Sequence, residues 1–376
     1  MNEREVAELR RRFKPDRNSI THIHGCYVGE KQEVISTFSH SLALMPQEEA
    51  ERLLGLLKKS LSGTLGRNLL DISFTTLQVA GSEEHGLLMA LRNSKLGEEE
   101  SRNRFYQTVI QSVKMEGNYL ILLAHDTYDV PYRSKDDVEQ ADASTEVYSY
   151  FVCALCPVKP TKPALSYFAR ENEFHTLAPD WVVSPPEVGF LFPAFDDRSA
   201  NLYNALYYSR DVGEIHPEFV EAVFRTQPLM PATEQKENFR SLLGESLGDD
   251  CDLDTVRAVD DQLRELIVTH KAAKEKEPLA LSKGAVRSVL RSCGVDARRA
   301  DAFERQYAES FGEDTSLTPR NVVDTKHIEI TTPDVVIKVN AERSDLVETR
   351  IIDGKKYILI RADDGVEVSG VGIHIK

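Results

Sequence analysis

Several short constellations in this sequence carry residue types that could do chemistry. His22, His24 and Cys26 form an H-x-H-x-C run. On a β-strand, side chains at i, i+2 and i+4 share a face, so all three could meet one Zn²⁺. Gly25 interrupts that run, and no fourth ligand stands nearby. The competing expectation is a half-buried strand face with two histidines titrating near neutrality. His125-Asp126-x-x-Asp129 follows the apolar stretch Asn118–Ala124. Strand ends often open onto clefts. There Asp126 could orient His125 as an acid–base group, or Asp126 and Asp129 could hold Mg²⁺. The competing expectation is an Asx turn leading into a loop at Pro131.

Cys153 and Cys156 form a C-x-x-C inside the Val-, Tyr- and Phe-rich run Glu146–Pro157, which reads as a strand. Residues i and i+3 of a strand face opposite ways and lie about 10 Å apart, too far for a disulfide unless Pro157 bends the chain. With Cys26, Cys251 and Cys293 they read as reduced thiols. Ser60–Asn68 is glycine-rich and flanked by Lys58, Lys59 and Arg67. It follows a helical pattern instead of opening one, so a glycine cap explains Gly63 better than a phosphate cradle does. Phe195-Asp196-Asp197-Arg198, with Tyr203, Tyr207 and Tyr208, could line a pocket or simply pack.

Two basic islands stand out. Arg10, Arg11, Arg12, Lys14 and Arg17 outnumber Asp16 by four charges. Lys283, Arg287 and Arg291 fall at i, i+4 and i+8, on one helix face. Arg298 and Arg299 open the next helix beyond Gly294. Such a stripe suits a polyanion. It equally suits docking onto the chain's own carboxylates.

The elements that must position these residues follow from spacing and punctuation. Glu3–Lys14 reads as a helix stopped by Pro15. Ser19–Val28 and Glu33–Leu44 read as a hairpin. Pro46 to Gly63 brackets a helix with Ala50, Leu53, Leu54, Leu57 and Leu61 on one face. Leu69–Ala80 reads as a strand, Glu83–Arg92 and Glu98–Met115 as helices. Lys135–Ser144 reads as a solvated acidic loop. From Pro217 to Phe311 five helices follow. Lys326–Lys376 alternates as strands do, with turn signals at Asp353-Gly354 and Asp364-Gly365. The expected fold class is α+β. It divides into a mixed α/β domain over 1–215, a helical region over 216–320 and a β-rich unit over 321–376.

The 376 residues favour more than one core. The net charge is −15, and the stretch 68–244 holds −11 of it. That excludes a wholesale basic nucleic-acid coat. No apolar run approaches the roughly 20 residues a bilayer needs, and the charged N-terminus leads into no apolar stretch. A cytoplasmic protein without a membrane span is expected.

The strings Val6–Phe13 with Gly25-Cys26-Tyr27-Val28, Leu61–Gly66, Asn118–Leu123, Cys156-Pro157-Val158, Gly189–Phe195 and Asp345–Arg350 resemble an uncharacterised bacterial family, mostly of Firmicutes. The family is a domain of unknown function, and the resemblance covers nearly the whole chain. It implies a bacterial cytosolic protein and supplies no activity, cofactor or catalytic residue. A looser likeness, in element order only, is to bacterial nucleoid-associated proteins of similar length.

Since no catalytic motif is complete, the expectation is a non-catalytic binding or regulatory protein. It takes a protein or nucleic-acid partner and no cofactor. The alternative is a metal-assisted hydrolase built on His125, Asp126 and Asp129, or on His22, His24 and Cys26.

Overall fold

A computed structural model describes residues 1–133, 139–177, 180–226, 229–273, 275, 278–313, 315–362 and 365–374. The chain forms two compact units, Met1–Pro231 and Ala232–Lys376.

The first unit opens with α1 (Glu3–Arg12). Asn2 caps it, accepting from the Arg4 and Glu5 amides, while Glu5 reaches back to the Asn2 amide. Three arginines fill its last turn, where they complement the helix dipole. Next come β1 (His22–Val28), β2 (Val34–Ser41) and α2 (Gln47–Lys59), which buries Ala50, Leu54 and Leu57. Then follow β3 (Leu69–Ser73), α3 (Thr76–Gly81), α4 (Glu83–Asn93) and α5 (Glu99–Ser112). The expected strand through Ala80 stops at Ser73 because Thr75 and Gln78 form a capping box that starts α3.

Two long strands follow, β4 (Asn118–Arg133) and β5 (Glu139–Pro160). They pair from Asn118↔Val158 to Arg133↔Glu139, with register shifts on either side of Pro131. Thus β4 does not end at Ala124, and no turn follows it there. Likewise, of the expected acidic loop, Glu139–Ser144 belongs to β5 and residues 135–138 lie outside the described residues. Backbone pairing along β4–β5, unbroken from Asn118 to Val130, overrides the turn signal at Asp126.

The unit continues with β6 (Ala164–Phe168), β7 (Glu173–Leu177), β8 (Trp181–Val183), β9 (Val188–Phe192), β10 (Ala194–Asp196), β11 (Ser199–Asn201), β12 (Asn204–Ser209) and α6 (Pro217–Phe224). The main sheet is antiparallel throughout, in the order β2-β1-β4-β5-β9-β12-β3, with β8 beside β5. Residues alternate between two cores. Ile121, Leu123, Cys153 and Phe190 pack with α4, α5 and α6. Leu120, Leu122, Cys156 and Leu191 pack with α1 and α2 on the other face. Because α6 buries Phe219, Val220 and Phe224 in the first of these cores, the unit runs past the expected boundary at 215.

The second unit holds α7 (Ala232–Leu247), α8 (Leu253–Ala273), α9 (Lys283–Ser292), α10 (Ala297–Phe311) and α11 (Pro319–Val322). Phe239 meets Phe303 edge to face, and Tyr307 packs between Phe303 and Phe311. Three hairpins follow: β13 (His327–Thr331) with β14 (Val336–Asn340), β15 (Val347–Ile352) with β16 (Lys355–Ile360), and β17 (Val366–Val368) with β18 (Val371–Ile373). Asp353-Gly354 turns the second hairpin with positive φ at both residues. The third is turned by Ser369-Gly370, also both positive. The expected turn at Asp364-Gly365 includes Asp364, which lies outside the described residues. Among the described residues, no helix is long and apolar enough to cross a membrane.

Two glycines hold close approaches in the sheet. Gly25 lies under Phe38, its cross-strand partner; an added Cβ would stand 2.1 Å from the ring. Gly189 faces Ser60, and an added Cβ would stand 2.5 Å from its Oγ and 2.7 Å from the Cys153 carbonyl. Phe38 can swing away, whereas the Cys153 backbone cannot. Gly189→Ala should therefore destabilise the first unit by about 1–3 kcal/mol in denaturant unfolding, and Gly25→Ala by less. Equal effects would contradict this packing.

Candidate functional site

The β4–β5 ribbon carries a buried polar cluster centred on Asp126. Asp126 is 1% exposed on the face covered by α1. Arg12 grips it in a fork, Nε donating to Oδ2 at 2.7 Å and Nη2 to Oδ1 at 3.0 Å. The Ser19 amide donates to Oδ1 at 2.7 Å, the Thr127 amide at 3.0 Å, and the Tyr150 hydroxyl to Oδ2 at 2.8 Å. Arg12 also donates to the Thr127 carbonyl and lies 4.4 Å from the centre of the Tyr128 ring. Burial pulls the Arg12 guanidinium down, but Asp126 outweighs it and holds its pKa above the ordinary value. Tyr150 is pushed well up, first by burial and then by Asp126.

A second clamp adjoins the first. Glu8 of α1 accepts from the Tyr128 hydroxyl at 2.6 Å and from Arg198 Nη1 at 2.8 Å. Arg198 and Asp197 form the tight turn between β10 and β11, both with positive φ. Arg198 Nη2 donates to the Pro131 carbonyl at 2.8 Å. The Tyr148 ring stacks 4.6 Å from Tyr150, and its hydroxyl donates to the Pro193 carbonyl.

His125, one residue from Asp126, faces the other way. Its Nε2 lies 2.8 Å from Ser149 Oγ, and Arg92 of α4 donates to the Ser149 carbonyl at 2.8 Å. Burial lowers the His125 pKa to about 4, with Lys95 and Arg92 adding to the effect against Asp126. A neutral, weakly basic imidazole is a poor partner for activating Ser149. It serves instead as a cross-strand hydrogen bond. Asp126 therefore does not orient His125, and Asp129, exposed and three residues along the strand, does not share a face with Asp126.

The remaining candidates are dispersed. His22 is exposed and His24 buried, their rings 6.2 Å apart. Burial lowers His24 to about 4 and raises Cys26 to about 11. Among the described residues, no group of three or more His, Cys, Asp or Glu could hold a metal ion. Cys153 and Cys156 lie in opposite cores, and all five cysteines are free thiols. In the glycine-rich loop, α2 ends at Lys59 and Gly63 turns against Asn68, whose amide donates to the Ser209 and Arg210 carbonyls. Tyr207 and Tyr208 are core residues, and Tyr203 is exposed.

The basic islands also separate. Arg12 is spent on Asp126, Arg10 is half-buried, and Arg11 is exposed on α1. On α9, Lys283 pairs with Glu313 and Arg287 with Asp301 and Glu304, while Arg291 is exposed. The open groove there, about 730 Å³, is lined by Lys283, Arg287 and Arg305 against Asp301, Glu304, Glu309 and Glu313. Its acids outnumber its bases.

Sequence reasoning did not find Tyr150, Ser149, Glu8 or Arg198 as partners. The signal for Tyr150 and Ser149 was the alternation of Tyr148, Ser149 and Tyr150 against Asp126, His125 and Tyr128, legible only once β4 and β5 are paired.

Residues 1–371 match the model of a family described as a domain of unknown function (DUF4317). The chain belongs to that family. Comparison with curated proteins gives no match, nor does comparison with solved structures.

His24 and His125 make stability depend on pH. An unfolded histidine protonates near 6.5, whereas these take a proton only near 4. The unfolded chain thus binds more protons in that window, and stability falls as pH drops from 6.5 towards 4. Each histidine contributes up to about 3 kcal/mol. His125→Gln keeps a partner for Ser149 but cannot titrate. Its unfolding free energy should fall less steeply than the parent's across this window; parallel curves would contradict the reading.

Proposed function

We propose that this chain is a non-catalytic binding or regulatory protein whose first unit is a scaffold. The observation that supports this reading is the employment of its reactive side chains. Asp126, the most buried carboxylate of the candidate set, is committed to five donors that tie α1 and the segment after it to the sheet. His125 is committed to Ser149. The five reduced thiols support a cytoplasmic location as part of the same reading.

The hydrolase alternative needs His125 and Asp126 to act on one substrate from opposite faces of a strand. Stability separates the two readings. Structural groups lose stability when removed, whereas functional groups often leave it unchanged or raise it. Asp126→Ala should cost about 3–5 kcal/mol, because it strands a buried guanidinium. Adding Arg12→Met should recover part of that loss. An Asp126→Ala protein as stable as the parent would sink the scaffold reading. So would about one zinc per chain that disappears on replacing His22 or His24.

A nucleic-acid partner is the second form of the binding reading, favoured by the exposure of Arg11, Arg291 and Arg298. Three phosphate contacts by Lys283, Arg287 and Arg291 would give a log–log salt slope of about −3 on duplex DNA. Since carboxylates already engage two of the three, we expect a flatter slope. A slope near −3 that the triple alanine variant abolishes would instead assign the stripe to nucleic acid.

A further inference from the structure

The three hairpins of the second unit leave their strand edges open, and one edge has a specific complement. β15 pairs only with β16 among the described residues. Glu348 through Ile352 are exposed, Ile351 to 72%. The Arg361 amide donates to the Leu346 carbonyl at 2.7 Å, one rung beyond the Val347↔Ile360 pair. Backbone groups alternate along an antiparallel ladder. Those of Glu348, Arg350 and Ile352 therefore face β16, and those of Thr349 and Ile351 face outward with the Val347 carbonyl, the Val347 amide being taken by the Ser344 carbonyl. The outward row is a template for another strand.

The side chains say which strand fits. A two-fold axis at Thr349 sets the same edge of a second copy antiparallel to the first. Thr349 then meets its own copy in a hydrogen-bonded pair. Val347 falls opposite Ile351, an apolar pair. Glu348 falls opposite Arg350, and Arg350 opposite Glu348. These two lie at non-hydrogen-bonded positions, where cross-strand side chains stand closest. The edge is thus self-complementary, as an isologous interface requires. None of the other five hairpin strands carries a carboxylate together with a lysine or arginine. β14 and β16 carry only lysine charges, β17 only Glu367, β18 none, and β13 would set Glu329 against Glu329.

We propose that the chain self-associates by antiparallel pairing of β15 with β15 of a second copy, centred on Thr349. This deepens the binding reading by naming a second copy as the partner, and it rests on that reading. In the free chain Arg350 reaches back to Glu348 at 3.1 Å across an exposed surface, a weak contact that pairing between copies would replace with two.

Sedimentation velocity of the full chain, from about 1 to 100 µM, suits a contact of this size. The parent should show a monomer–dimer equilibrium. Glu348→Arg alone sets Arg350 against a new arginine and should weaken it at least about tenfold. Arg350→Glu alone should do the same with acids, and the double exchange Glu348→Arg/Arg350→Glu should restore it. Thr349→Pro removes an outward amide that the hairpin does not use, so it should abolish the dimer while circular dichroism and the melting temperature stay near the parent's. A parent that remains monomeric throughout overturns the proposal. So does a dimer that survives Thr349→Pro, or single reversals indistinguishable from the parent. These failures leave Asp126→Ala untouched as the test of the scaffold reading; conversely, a stable Asp126→Ala protein would not dissolve the dimer.

Discussion

A carboxylate removed from water must be matched almost completely, and Asp126 is the place where this chain meets that demand. Its donors come from four separate segments: Arg12 at the end of α1, Ser19 before β1, Thr127 beside it and Tyr150 on β5. Satisfying one side chain therefore fixes a helix, a connection and a strand pair at once. The cost of leaving such a charge unpaired is several kcal/mol. That cost makes the arrangement close to all-or-none. Glu8, Tyr128 and Arg198 repeat the logic one turn earlier on α1, tying the β10–β11 turn to the same helix. Here α1 is held by matched charge as well as by Val6 and Leu9 in the core.

The alternation of a β-strand decides what chemistry the ribbon can support. His125 and Asp126 are neighbours in sequence and strangers in space, because consecutive residues face opposite layers. Each face gives its polar residue a different fate. Beneath α1, the aspartate finds a guanidinium and a tyrosine. On the other face, His125 meets Ser149 with the cationic Arg92 and Lys95 nearby, and burial lowers its proton affinity. The same geometry sends Cys153 and Cys156 into different cores. A C-x-x-C on a regular strand is thereby two separate packing residues.

Much of the fold was legible. The α2 helix, the hairpin ahead of it, the five helices between Pro217 and Phe311 and the alternating tail follow from period and punctuation. The opposed faces of Cys153 and Cys156 follow from strand geometry alone. The misreadings have two causes, one local and one not. The strand assigned through Ala80 overlooked Thr75-x-x-Gln78, a capping box written in the sequence. The turn assigned after Ala124 trusted Asp126 as a local turn former, yet its partners lie at positions 12, 19 and 150, beyond any local window. The site was hardest for the same reason. Charge pairs such as Arg12–Asp126 and Arg240–Asp260 join residues by register and packing, which spacing does not encode.

The main sheet of the first unit and the hairpins of the second manage their backbones differently. In that sheet, β1, β4, β5, β9 and β12 are each flanked on both sides, so nearly every interior ladder position is used. In the second, three two-stranded hairpins expose valines, isoleucines and a tyrosine, among them Val336, Tyr357, Ile360 and Val371. An isolated two-stranded hairpin is marginal in water. Natural edges are usually blunted by charge, and here β14 and β16 carry exposed lysines that do this. β15 departs from the pattern by carrying both signs two residues apart, with Thr349 between them. Like charges repel any second copy, whereas an acid and a base related by a two-fold axis repel most strands and admit their own. The edge is in that sense selective, and its selectivity follows from the order of three residues.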